Sequence, residues 1–179
     1  MKKIIIASLL LIVSCQNDVK KEPDIADLTI QDIVAENSKE AEEAKKWLEN
    51  SIVGYFKADI SEQEKIMKEI TTDDYYEFKT DAINVDMDVD GSLILKEFNQ
   101  KWEDKYDTNF AGINSGFLIS AQDWINIEVR KCDVMTSLKN VYIFNVILAD
   151  DGFKAQYFRK IKVINENGKF LIDGVIESN

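Results

Sequence analysis

The apolar residues of this chain change period once, just past Tyr106, and that change limits the fold more than any other feature. Before it they recur at helical spacing; after it they alternate. Residues 38–57 predict a first long helix, with Ser38 as N-cap and Leu48, Ile52, Tyr55 and Phe56 on one stripe that Trp47 widens. Ser61-Glu62-Gln63-Glu64 has the form of a capping box and predicts a short second helix through Ile66, Met67 and Ile70. Thr72 is the predicted cap of a third helix carrying Tyr75, Tyr76, Phe78 and Ile83, and a fourth covers about 93–106. Beyond it, Ile125, Ile127 and Val129 alternate with polar residues. Tyr142, Phe144, Val146 and Leu148 alternate with Val141, Ile143, Asn145 and Ile147, which predicts a strand buried on both faces. Asp150-Asp151-Gly152 and Asn167-Gly168 are predicted hairpin turns. Between them Phe153, Ala155 and Tyr157 share a face and lead into Ile161 and Val163; residues 170–176 close the sheet. Helices first and an antiparallel meander second is an α+β pattern: N-terminal helices packed on one face of a curved antiparallel sheet.

That element order over 38–179, with Ala121-Gln122-Asp123-Trp124 ahead of the first long strand, resembles the cone-shaped superfamily named after nuclear transport factor two, and within it small bacterial lipoproteins. The resemblance implies a cone. Because enzymes of that superfamily often use an aspartate as base, it also makes Asp123 and Glu128 the carboxylates to check. It does not choose a function, since such folds host enzymes, binders and scaffolds alike.

The one constellation with chemistry in it spans 86–97. Asp86, Asp88, Asp90, Gly91 and Glu97 satisfy the calcium-loop pattern D-x-[DN]-x-[DN]-G-x5-E. Alternate residues of a tight loop can turn Asp86, Asp88 and Asp90 to one centre. Gly91 permits the sharp turn, Ser92 offers its carbonyl, and Glu97 supplies two oxygens from the next helix. Asp-Gly-x-Leu-x-x-x-Glu-Phe over 90–98 resembles the EF-hand family. Only one hand is present, and Ile94 at the ninth position leaves that vertex to water. Four carboxylates in one loop repel one another unless a cation lies between them. The expectation is a structural calcium ion held by Asp86, Asp88, Asp90, Ser92 and Glu97; the alternative is a solvated acidic turn between two helices.

The N-terminus speaks to location. Lys2 and Lys3 precede an apolar run over 4–13, followed by Ser14-Cys15, the pattern of a secretory signal peptide. The run is too short to span a bilayer, which takes about 20 residues. Ile12-Val13-Ser14-Cys15 resembles the bacterial lipoprotein box. The resemblance implies cleavage after residue 14 and acylation of Cys15, a membrane anchor held by the lipid alone. The expected organisation is a signal peptide over 1–14, lipidated Cys15 and a flexible tether over 15–37, and one α+β domain over 38–179. Gln16, where an aspartate would favour inner-membrane retention, points to the outer membrane of a diderm envelope. Gln16-Asn17-Asp18 resembles the acidic surface-export tags of some such bacteria, leaving periplasmic and surface exposure both open.

Composition narrows the function. The chain has no histidine, which removes the commonest general base and the usual zinc ligand. Loss of Lys2 and Lys3 with the signal would take the net charge from −11 to −13, a surface that repels nucleic acid. With Cys15 lipidated, Cys132 has no intramolecular partner and is expected to be a buried, inert thiol. The helical aromatics Trp47, Tyr55, Phe56, Tyr75, Tyr76, Phe78, Phe98 and Trp102 suit a core, and alternatively a pocket in the cone. Arg159-Lys160-Ile161-Lys162 is expected as a solvated basic strand face that discourages edge pairing. The reading is a lipid-anchored, non-enzymatic binding domain taking a small ligand or polymer. The alternatives are a protein-partner module, such as an inhibitor of or immunity protein against a secreted toxin or hydrolase, and a hydrolase or isomerase of the cone class.

Overall fold

The computed structural model of the chain describes residues 30–121 and 123–177, with side chains from residue 38 onward. The signal peptide, Cys15, most of the tether and Gln122 therefore lie outside the described residues. The elements run α1 (Ile30–Lys57), α2 (Ile60–Ile70), α3 (Asp73–Asn84), α4 (Leu95–Trp102), a 3-10 turn (Thr108–Phe110), then β1 (Ile127–Leu138), β2 (Val141–Asp150), β3 (Ala155–Glu166) and β4 (Lys169–Glu177). The strands form one antiparallel sheet in the order β1-β2-β3-β4, so the α+β meander expected from the period change is present.

The termini of the helices depart from expectation. α1 begins at Ile30 rather than Ser38, so part of the stretch read as tether is helical and Ser38 lies inside the helix instead of capping it. The capping box at Ser61 is not formed. Asp59 is the N-cap of α2, and Ser61 already sits within the first turn. Thr72 does cap α3: its hydroxyl accepts the Tyr75 amide at 3.1 Å. α4 is shorter than predicted, ending at Trp102.

One face of the sheet builds the core. Tyr142, Phe144, Val146 and Leu148 on β2 are buried with Ile161 and Val163 on β3. α1 packs chiefly against β1, bringing Leu48 and Ile52 into the same cluster, with Ala41 and Ala44 as small contacts. The opposite face is only partly covered. Val141, Ile143 and Ile147 are half-buried and Asn145 is exposed, so β2 is not buried on both faces as its apolar run suggested. Three register shifts bend the sheet. In β1, Arg130 and Met135 have no residue opposite them on β2; in β4, Asp173 has none on β3. Such bulges bend a strand and re-aim its side chains, and the one at Asp173 shapes the site described next.

Candidate functional site

The acidic loop sits where the pattern required it, between α3 and α4. Its Gly91 has φ +82°, a conformation that a side chain would strain, at the position where the loop must turn sharply. Asp86 also has positive φ, and its amide donates to the Leu93 carbonyl at 3.0 Å, closing the loop on itself. The carboxylates themselves are not drawn together. Asp86, Asp88, Asp90 and Glu97 are exposed, and no group of three or more acidic or cysteine side chains among the described residues is arranged to hold a metal. Ser92 donates its hydroxyl to the Met87 carbonyl. Glu97, third residue of α4, accepts the Ile94 amide at 3.3 Å and so serves its own helix as a cap. Side-chain hydrogen bonds join the flanking helices. Asp81 of α3 accepts from Trp102 Nε1 and Lys101 Nζ of α4, both at 2.8 Å, and Glu77 accepts from Lys101 at 2.7 Å.

A cleft of about 460 Å³ opens beside β4, between α3, the segment 105–110 and the sheet. Its inner wall is aromatic. α3 turns Tyr75 and Phe78 toward the sheet; the Phe78 ring stacks on Tyr106 with centroids 4.5 Å apart, and Tyr75 lies 5.7 Å from the same ring. Phe110, more than half exposed, stands at the mouth. The β4 bulge delivers the polar part. Asp173 Oδ1 accepts from Thr72 Oγ1 at 2.9 Å and from the Tyr106 hydroxyl at 3.4 Å, while Oδ2 meets Lys162 Nζ at 2.7 Å. Tyr75 accepts the Val175 amide at 3.0 Å, satisfying a donor on the edge strand. Burial, and next the Asp173 charge, push the Tyr106 hydroxyl well above the usual phenol range. Asp74 and Lys105 pair across the rim at 2.9 Å. Lys160 also lines the cleft and takes no part in these pairs. An apolar wall with a few fixed polar groups is the form of a small-molecule site, for which 300–1,000 Å³ is the ordinary range.

The basic run divides between two environments. Lys160 and Lys162 are exposed as expected, but Arg159 is buried on the core face beside Ile161 and Val163. The alternation that predicts β3 also places Arg159 inward, so the four residues do not form one solvated face. Lys79 was missed altogether. It lies at 4 % exposure on α3, in the buried stripe of Tyr75, Phe78 and Ala82, where a lysine at helical core spacing was the available signal. Asp123 and Glu128 are both exposed, and Glu128 accepts from Asn126 at 3.1 Å and lies 3.7 Å from Arg130. Cys132 is a buried free thiol whose pKa burial, above all, pushes up to about 12, so it is held as an unreactive thiol. No protein-family model matches the chain, no curated protein matches it, and no solved structure matches it.

Proposed function

We propose that this chain is a lipid-anchored envelope domain that works by binding, and that it holds a small amphiphilic molecule in the cleft beside β4. The observation that carries the reading is the cleft: about 460 Å³, walled by Tyr75, Phe78 and Tyr106, with Asp173 held as a fixed polar group and the exposed Lys160 ammonium lining it as well. A ligand with a flat apolar body and one or two polar substituents matches that lining. The anchor rests on Lys2, Lys3, the apolar run and Ile12-Val13-Ser14-Cys15, and the outer-membrane address on Gln16. Among the described residues no helix is long and apolar enough to cross a membrane. The cone architecture belongs to the same proposal; helices before an antiparallel meander, and the bulges that bend β1 and β4, support it.

The test is a thermal-shift and NMR screen of the full chain against aromatic carboxylates, sugars and fatty acids. Gly174→Leu is the discriminating variant, because Gly174 lies on the cleft wall with its Cβ position 3.6 Å from Lys162 Cβ. Hits in the wild type that vanish in Gly174→Leu support the reading. Hits that persist undiminished in the variant, or a screen without hits, end it.

A calcium loop is the second element of the proposal, favoured by the helix–loop–helix order around 86–97 and the positive φ of Gly91 at the turn. Occupancy would require Asp86, Asp88, Asp90 and Glu97 to swing inward with the Ser92 carbonyl. A single, unpaired hand of this kind belongs in the weak range, with Kd of about 10⁻⁴–10⁻³ M. Millimolar calcium should raise the Tm, and Glu97→Gln should abolish the rise; the glutamine keeps an acceptor for the Ile94 amide, so the helix cap survives. An unchanged wild-type Tm would remove calcium from the account. The protein-partner alternative draws on Ile143, Ile147, Phe158 and Ile176, which share the partly covered face of the sheet; co-purification of a partner from solubilised envelopes would favour it.

A further inference from the structure

Lys79 and Arg159 are both only 4 % exposed, and they face one recess. Lys79 projects from the buried stripe of α3 and donates from Nζ to the carbonyls of Ala111 at 2.9 Å and Gly112 at 3.1 Å. An ammonium carries three donors, so one remains beyond those two bonds. Gly112 makes the approach possible: it has φ +63°, and a Cβ there would stand 3.0 Å from the Lys79 nitrogen. Arg159 projects from the core face of β3. Its Nε donates to Leu118 O and its Nη1 to Phe158 O, each at 2.8 Å. The carboxylate near the pair is Glu177, 3.5 Å from Arg159 Nη1 and itself 60 % exposed. The recess holds about 260 Å³, and Asn109, Ser115 and Ser120 add polar groups to its wall. It shares only Phe110 and Val175 with the cleft beside β4.

Burying a cation is costly unless a charge of opposite sign is placed against it. Here two buried cations share one largely solvated carboxylate, in a chain whose net charge is −11. Neutral carbonyls accept hydrogen bonds from both groups without balancing their charge. The imbalance is visible in Lys79: burial first, and the Arg159 charge second, bring its ammonium down to about 8, against an opposing pull from Glu177. An acidic protein has carboxylates enough to neutralise such a pair with its own side chains, yet Glu177, largely solvated, is the carboxylate that the recess wall presents, beside neutral serine, asparagine, glycine and apolar residues.

We infer that the Lys79–Arg159 recess is a binding site for a small oxyanion, the carboxylate or phosphate group of a low-molecular-weight ligand. One oxygen takes the remaining Lys79 donor, the other faces the Arg159 guanidinium, and the serine hydroxyls and Asn109 close the polar shell. The site is independent of the cleft, so either can fail without the other.

The experiment is calorimetric titration and thermal shift of the full chain with inorganic phosphate and with succinate, against sodium chloride at matched ionic strength. A saturable Tm rise with either probe, absent with chloride, is the expected result; which probe gives it identifies phosphate or carboxylate as the ligand group. Arg159→Gln should weaken binding at least tenfold. Because that variant removes a core hydrogen bond and can unfold, Ser115→Asp is the second: a carboxylate set into the recess should abolish anion binding and raise the Tm by itself. Binding should also weaken as the pH climbs past about 8, where Lys79 gives up its proton; Arg159, Glu177, Tyr75 and Tyr157 are the other ionisable groups around the pair. An equal rise with chloride, or phosphate and succinate binding unchanged in Ser115→Asp, overturns the site. Gly174→Leu should leave it intact.

Discussion

Asp150 shows how much one side chain can organise. It ends β2 with its side chain fully enclosed, and its two oxygens face different segments. Oδ2 accepts the Ile125 amide at 2.7 Å, tying down the approach to β1, while Oδ1 accepts the amides of Gly152 at 2.9 Å and Phe153 at 3.3 Å inside the turn. Burial alone would raise its pKa, but these amides and that of Asn126 favour the charged form and hold it below the usual carboxylate value. A depressed folded-state pKa means stability that is present above the unfolded value and lost as the pH falls through the folded one. Asp150→Ala should therefore lower the Tm well beyond Asp151→Ala, its exposed neighbour, and the gap should narrow in acid; equal losses at neutral pH would refute the role. The sequence marked these residues as a turn. It could not show that the first aspartate also anchors the chain before β1, because that contact crosses 25 positions.

At the scale of elements, local chemistry and tertiary packing compete at every terminus. Asn167-Gly168 joins β3 to β4 as a two-residue loop with φ +53° and +83°, the conformation that this pair adopts most readily. Nothing distant is needed, and the turn was legible. Ser61 offered an equally good local signal, yet the backbone enters α2 two residues earlier and leaves its hydroxyl without the capping role. Thr72 succeeds because tertiary structure agrees with it. Its hydroxyl accepts the Tyr75 amide and donates to Asp173, and its own amide donates to Ile172 O at 2.9 Å on the edge strand. One residue thus starts α3 and fastens it to β4. Thr72→Ala should cost about 1–2 kcal/mol by denaturant unfolding, and Thr72→Ser should restore most of it. A loss below a few tenths of a kcal/mol would mean that the cap contributes little.

For the molecule as a whole, the buried ionisable groups set how stability moves with pH. Lys79 titrates at about 8 when folded and at 10.5 in its ordinary state, so above pH 8 the unfolded chain binds more protons and stability rises with pH. Between pH 8 and 9 this gain is about 1 kcal/mol, and Lys79→Met should flatten that part of the profile. Above pH 9 Cys132 acts in the opposite sense. Its folded thiol keeps its proton to about 12, whereas the unfolded one ionises near 9, so the curve should turn over there. A wild-type profile that falls steadily from pH 7.5 to 9 would contradict the burial of a charged Lys79.

Periodicity, turn residues and one threonine cap determined the class of this protein by themselves: helices, then a four-stranded antiparallel meander. These are properties of neighbours along the chain, where backbone preference and the alternation of apolar side chains act within a few residues. The acidic loop was legible for the same reason, as a spacing. Tertiary structure alone decided that Asp173 bulges from β4 to meet Thr72, Tyr106 and Lys162, and that an α3 lysine and a β3 arginine, 80 positions apart, enter the same recess. Such sites depend on desolvation and on charges made close by the fold, and neither is carried by local order in the chain.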